Sequence, residues 1–208
     1  ANPIYLSTAY QHAGLGHSTG YDYTRTKNPT RQAFEDAFAK IEGGIASFAT
    51  SSGMASIQLV CNLFNPHDEI LVSFDLYGGT FRLFEFYETQ YDIRFKYVNF
   101  ENVEEVKAAI TPHTKALFIE PISNPLMIEI DLSPYYQLAQ QHRLLTIIDN
   151  TFLTPYLSTP LADGADIVLH SATKYIGGHN DVLAGVVTVK DPVLAEQFTQ
   201  LHNMIGAT

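Results

Sequence analysis

From Ile45 onward, short apolar runs alternate with stretches of helical spacing, and this alternation constrains the fold more than any other feature of the chain. The runs are "IASFAT", "EILVSF", "IRFKYV", "ALFIE", "LLTIID", "DIVLH" and "AGVVTV", with helices predicted between them over 53–64, 79–90, 102–110 and 133–142. A strand open to water on one face alternates apolar with polar residues, whereas a strand covered on both faces reads as an unbroken apolar run. The pattern predicts an α/β fold with a mainly parallel, doubly wound sheet and helices on both of its faces. Ligands of such sheets bind outside the carboxyl ends of the strands, so function is sought there.

Ahead of the alternation, residues 1–31 are rich in Gly, Tyr, Thr and Asn and keep neither period, so they read as an arm or long loop. "RQAFEDAFAKIEGG" then places Ala33, Phe34, Ala37, Phe38 and Ile41 at helical spacing and closes on Gly43-Gly44, which predicts the first helix. The expected division is 1–44 for the arm and first helix and 45–208 for a larger ligand-binding domain. The chain starts at Ala1 rather than Met and shows no stop signal beyond one glycine after "DPVLAEQFTQLH", so it is read as incomplete at its C-terminus.

At 208 residues the chain can bury roughly 70% of its extended surface, enough for one sizeable core. Its formal net charge is −10 and no two Lys or Arg are adjacent, so it lacks the basic stripe a nucleic acid partner requires. The one cysteine, Cys61, lies inside the apolar stretch "IQLVCNLF"; it excludes an intrachain disulfide framework and reads as a buried core residue in a reduced compartment. No apolar run approaches the roughly 18–20 residues of a membrane span, and the N-terminus lacks a charged region followed by an apolar one. A soluble, cytoplasmic protein is expected.

The strand ends carry the chemistry. After "IASFAT", Ser51-Ser52-Gly53-Met54-Ala55 opens a helix with free backbone N–H groups, either an ordinary N-cap or a cradle for an anion such as phosphate. After "EILVSF", Asp75-Leu76-Tyr77-Gly78-Gly79 presents an aromatic ring beside a tight turn, and after "ALFIE", Asn124 before Pro125 is an amide ligand or a turn former. Asp149 ends "LLTIID", where a carboxylate is costly unless something positive or strongly donating meets it; the plainer reading is a cap before Asn150-Thr151. "SATKYIGGHND" follows "DIVLH" and brings Ser171, Thr173 and Lys174, a lysine that is either solvated or held beside a buried strand end with a lowered pKa.

Taken together, these ends supply an amine, a carboxylate, an anion-cradling turn with two extra hydroxyls, an aromatic ring and an amide along one edge of one sheet. That inventory suits pyridoxal phosphate: the amine forms a Schiff base, the carboxylate keeps the pyridine nitrogen protonated, the turn and hydroxyls take the phosphate, and the aromatic side chain stacks on the ring. Competing signals are poor. "GLGHSTG" has the wrong last gap for a dinucleotide fingerprint and follows no strand, and His170 and His179 lack a third metal ligand at useful spacing.

"YDYTRTKNPTR", "SSGMAS", "DLYGGT", "SNP", "DNTF" and "HSATKYIGGHND", in this order from Tyr21 to Asp181, resemble the motifs of the Cys/Met-metabolism enzymes that depend on pyridoxal phosphate. The resemblance implies the aspartate-aminotransferase-like large domain, with Lys174 as the Schiff-base lysine, Asp149 as partner of the pyridine nitrogen and Tyr77 as the stacking ring. It implies that Gly53, Met54, Ser171 and Thr173 hold the phosphate, that Asn124 contacts the cofactor or the substrate carboxylate side, and that Tyr23 and Arg25 of the arm reach the phosphate of a neighbouring subunit. It further implies a homotetramer built from two dimers, and a smaller C-terminal domain, absent here, carrying the arginine for the substrate carboxylate. The run before Asn124 departs from the family's pattern: "EPISNP" keeps Ser123, Asn124 and Pro125 but moves a proline.

Within such a family the same first steps serve several reactions on a small amino-acid substrate. Gly79 stands where the methionine-cleaving branch carries a cysteine, which sets that branch aside. "LGHSTGYDYTRTKNPTR" with "GGHND" is most similar to enzymes of the cystathionine γ-synthase or O-acetylhomoserine thiol-lyase type, which replace an acyl group on Cγ with a sulfur nucleophile. Cystathionine β- or γ-lyase is the alternative, and a domain that binds a phosphorylated ligand without covalent chemistry is the alternative from another class.

Overall fold

The computed structural model describes residues 2–208. Residues 2–28 form no long element; they fold back on themselves through a bridge between Ala9 and Tyr23 and lead into helix α1, Pro29–Glu42. This helix begins inside the segment read from sequence as arm. Asn28 and Pro29 carry the start signal that the apolar spacing missed: Asn28 Oδ1 accepts the N–H groups of Thr30 and Arg31 at 2.8 and 3.2 Å, and proline suits a first helical position. Gly43, at φ 74°, ends the helix in the left-handed conformation that glycine adopts without a Cβ penalty.

The elements that follow are β1 (Ala46–Thr50), α2 (Gly53–Cys61), β2 (Glu69–Ser73), α3 (Gly78–Tyr91), β3 (Arg94–Val98), α4 (Val103–Ala109), β4 (Thr114–Ile119), α5 (Ser133–His142) and β5 (Leu145–Asp149). Two short helices, α6 (Thr154–Leu157) and α7 (Pro160–Asp163), then precede β6 (Ile167–His170), β7 (Gly185–Val189) and α8 (Pro192–Ile205). The strands make one seven-stranded sheet in the order β1-β7-β6-β5-β4-β2-β3. Every pairing is parallel except those of β7, which runs antiparallel to both β1 and β6. The doubly wound, mainly parallel sheet expected from the unbroken apolar runs is therefore present.

Most of those runs are continuous because their strands feed two cores; the edge strand β3 instead alternates, with Arg94 and Lys96 exposed. Ile70 and Val72 of β2 join Phe84, Phe95, Phe118 and Phe198 under α2, α3 and α8, while Leu71 between them joins Val106, Tyr135, Leu138 and Leu161 under α4, α5 and α7. Helix α1 covers β1 and β7 on the second side, where the Phe38 ring sets its edge against His170 at 5.2 Å between centroids. The outward edges of the sheet are occupied by side chains. The Ala49 N–H of β1 donates to Glu35 at 2.9 Å, the Ala49 carbonyl accepts from His202 Nε2 at 2.6 Å, and the Phe95 N–H of β3 donates to Glu88 at 2.8 Å. No helix among the described residues is long and apolar enough to cross a membrane.

Asn28 also ties the arm to the helix, because its Nδ2 donates to the Tyr5 carbonyl at 3.1 Å and to the Tyr10 hydroxyl at 3.0 Å. Asn28→Ala is expected to lower unfolding free energy by about 1–2 kcal/mol, the range for losing a helix cap. Asn28→Ser, which keeps a capping oxygen, places no charge and loses the arm donor, is expected to cost less; urea unfolding midpoints compare the two.

Candidate active site

With β1, β2, β4, β5 and β6 all running the same way, their carboxyl ends meet at one edge, and the segments that follow them line a cavity of about 220 Å³. Ser52 caps α2 by accepting the Ala55 N–H at 3.1 Å, which puts Gly53 at the first helical position. Gly53 lies so close to the end of β6 that an added Cβ would stand 2.6 Å from Ser171 Cβ and 2.8 Å from its hydroxyl oxygen. A helix N-terminus and a serine hydroxyl thus converge, which is the arrangement an anion needs. The ordinary N-cap is present, made by Ser52, and the groups expected to cradle an anion stand beside it.

Lys174 lies in the turn after β6. Gly177 N–H donates to the Ala172 carbonyl and Gly178 N–H to the Lys174 carbonyl, both at 2.8 Å, while Thr173 Oγ1 accepts the Ala184 N–H at 3.1 Å. Lys174 lines the cavity, but its side chain is exposed. The shielding expected for a lysine beside a buried strand end is therefore not found in the chain alone, because β6 stops at His170 and the turn carries Lys174 outward. On the opposite face of the sheet His170 Nε2 meets Glu42 Oε1, both side chains fully buried.

Across the cavity, Asp149 ends β5, and its Oδ1 accepts the Thr151 N–H at 3.1 Å and the Thr151 hydroxyl at 2.5 Å. It therefore makes the capping contacts of the plainer reading while also lining the cavity. Burial raises its carboxyl above the usual range, an effect opposed by the Thr151 hydrogen bonds and then by the charge of His170. Tyr77 precedes α3 with its ring about half exposed, at 48%. A Cβ on Gly79 would run into that ring and come within 3.1 Å of Met54 Sδ, so the glycine lets Tyr77 and Met54 close together. Asn124 is joined by a cis peptide to Pro125 in a loop tied down by Asp75, which accepts the Ser123 hydroxyl and, at 3.0 Å, the Leu126 N–H. The displaced proline of "EPISNP", Pro121, is compatible with this tie: its carbonyl accepts the Ile130 N–H at 2.9 Å at the loop's base.

The structure thus brings Gly53, Met54, Tyr77, Asn124, Asp149, Ser171, Thr173 and Lys174 around one cavity. Tyr23 and Arg25 lie outside it. The Arg25 guanidinium sits 5.6 Å over the Tyr23 ring and donates to Asn203 Oδ1 of α8 at 2.7 Å. Glu120 is the charged-type cavity residue that the sequence reading passed over, along with apolar lining such as Ile122, Phe152 and Leu183. It ends "ALFIE" as Asp149 ends "LLTIID", so the argument from a carboxylate closing a buried strand applied to it equally. Burial, and next the charge of Asp149, push the Glu120 carboxyl up. Among the described residues no group of three or more His, Cys, Asp or Glu is placed to hold a metal ion.

A doubly wound sheet that gathers a lysine, an acid and an anion cradle at its carboxyl edge defines the large-domain class of pyridoxal-phosphate enzymes. The profile of the Cys/Met metabolism PLP-dependent enzyme family matches residues 1–208, and the chain belongs to that family. It is 56% identical over 205 residues to a cystathionine gamma-synthase/O-acetylhomoserine (thiol)-lyase of Bacillus subtilis, covering 99% of the chain and 55% of the relative. It is 48% identical to a cystathionine beta-lyase of Lactococcus lactis, covering 99% of the chain and 54% of the relative. A cystathionine gamma-lyase from Lactobacillus plantarum, solved with L-serine, superposes with a TM-score of 0.96 at 46% identity over 99% of this chain and 54% of that one. The chain spans about half the length of these relatives.

Gly53→Ala is expected to push α2 off Ser171 and to destabilise the fold by about 1–3 kcal/mol, the usual cost of overpacking, with partial rescue by a second change of Ser171→Gly. Thermal melts measure both. Folding raises Asp149 and Glu120, so the folded chain holds protons that the unfolded chain releases. Their contribution to stability is complete below the ordinary acid range and is lost as pH rises through that range toward the raised values. Glu120→Gln is expected to flatten this fall in urea titrations without added cofactor.

Proposed function

We propose that this chain supplies the cofactor site of a transsulfuration enzyme that replaces the acyl group on Cγ of an O-acylhomoserine with cysteine or another sulfur nucleophile. The observation that carries the reading is Lys174 and Asp149 lining one cavity together with the α2 N-terminus, which Gly53 lets pack against Ser171. These residues fit pyridoxal phosphate: Lys174 Nζ for the covalent attachment, Asp149 for the ring nitrogen, the Tyr77 ring for stacking, Asn124 for the cofactor or the substrate side. Gly53, Met54, Ser171 and Thr173 would take the phosphate through N–H and hydroxyl groups. When bound, the cofactor supplies an electron sink for charge developing at the substrate Cα.

Lys174 would have two tasks: its Nζ would hold the cofactor, and it would be the general base placed to take the substrate Cα proton. Exposure at the cavity mouth gives Nζ room to move between the two positions. Asp149, whose carboxyl is oriented by the Thr151 donors, would be the partner of the ring nitrogen. Tyr23 and Arg25, outside this chain's own cavity, are proposed to complete the site of a neighbouring copy in a homo-oligomer, a dimer of dimers. That role requires Arg25 to give up Asn203.

The γ-replacement reading draws on the relative at 56% identity that bears a synthase name. Cystathionine β- or γ-cleavage from the same site is the second reading, supported by the relative at 48% that bears a β-lyase name. Gly79 remains the argument against methionine cleavage, since any side chain there meets Tyr77 and Met54.

Incubation of the full chain with pyridoxal phosphate is expected to give visible absorbance that borohydride removes and that Lys174→Ala abolishes. Supplied with O-acylhomoserine and cysteine, the enzyme is expected to form cystathionine. Release of ammonia and keto acid from cystathionine, with no replacement product, would select the lyase reading.

A further inference from the structure

We propose that Glu120 is a positioning residue of this site: from the strand beside Asp149 it fixes the Tyr77 ring and the Asn124 loop on the cavity wall. The inference rests on the cofactor reading above and assigns a residue to which that reading gives no part.

The argument begins with strand register. Ile119 of β4 pairs with Ile148 of β5, so the next residues, Glu120 and Asp149, leave adjacent parallel strands side by side. Both line the cavity. Two ionised carboxylates in such a place repel each other, and one of them is expected to give up its charge. Glu120 is the better candidate to be neutral. It is only 5% exposed, and Asp149 has the Thr151 N–H and hydroxyl on its own carboxylate. Around Glu120 stand Asp149 and Asp75, both acids, which press in the same direction.

What Glu120 holds is backbone. Its Oε1 accepts the Tyr77 N–H at 3.0 Å, where the β2–α3 turn has no side-chain cap of its own, and the Asn124 N–H also bears on its carboxyl group. One side chain on β4 thus connects the segment carrying the stacking ring with the segment carrying the amide. A carbonyl oxygen serves this purpose as well as a carboxylate does, so glutamine is expected to replace glutamate at this position and alanine is not.

The test uses the full chain with pyridoxal phosphate, comparing E120A and E120Q with the native protein in cofactor affinity, visible circular dichroism of the bound cofactor, and amide hydrogen exchange of peptides containing Tyr77 and Asn124 without cofactor. For E120A the expected result is a weakening of affinity by about tenfold, the size of one lost hydrogen bond to a carboxyl group, with a reduced visible dichroism signal and faster exchange at both peptides. E120Q is expected to stay within about twofold of native in all three. Native behaviour of E120A in the three measurements overturns the proposal, as does E120Q failing like E120A, which would show that charge rather than an acceptor is needed. If E120A does not fold, E120D, one methylene short of the Tyr77 N–H, is read in its place with the same outcomes. A native chain that takes up no cofactor would instead sink the proposed function and this role with it, whereas cofactor uptake unaffected by E120A sinks this inference alone.

Discussion

Everything at the site follows from strand direction. Because β1, β2, β4, β5 and β6 all run the same way, each delivers its last residue and the following turn to one edge, and no side chain has to travel far to meet the others. The antiparallel β7 is compatible with this because it enters between β1 and β6 from the same edge, beginning at Gly185 just after the Lys174 turn. It draws α2 and the end of β6 together, and the near-contact of Gly53 with Ser171 results. The meeting of the α2 N-terminus with the Ser171 hydroxyl is a packing consequence of the sheet rather than of an independent loop.

The same edge concentrates acids. Asp75, Glu120 and Asp149 close β2, β4 and β5 or the turns after them, and each is met by N–H or O–H donors from neighbouring turns rather than by a cation. Donors of this kind hold a carboxylate in place without cancelling the field it exerts on its neighbours. Lys174 is the amine that lines the same cavity as Glu120 and Asp149.

The sheet was largely legible in the sequence because burial on both faces keeps the central strands mainly apolar, and that shows without any partner; the edge strand β3, with Arg94 and Lys96 exposed, is the exception. Helix boundaries were less so. The start of α1 was displaced because Asn28 and Pro29 act through capping geometry and not through apolar spacing, while α6 and α7 are too short to show a period. Among site residues, those that break an apolar run, such as Asp149, announced themselves. Glu120 broke a run in the same manner and was overlooked because Pro121 and Asn124 beside it drew the reading toward turn chemistry. The exposure of Lys174 could not be foreseen, since it depends on where the 171–178 turn points after β6 ends. Nor could the Arg25 contact with Asn203, which joins residues far apart in sequence.

The glutamates at the sheet's two margins have a consequence for how copies of this chain can meet. Open sheets ordinarily present bare backbone that invites a foreign strand to zip on, the usual route to fibrils. Here Glu35 and Glu88 occupy outward amides of β1 and β3. A strand pairing at Ala49 or Phe95 would have to evict a carboxylate before gaining that ladder bond, so each margin carries one position that resists edge-to-edge growth.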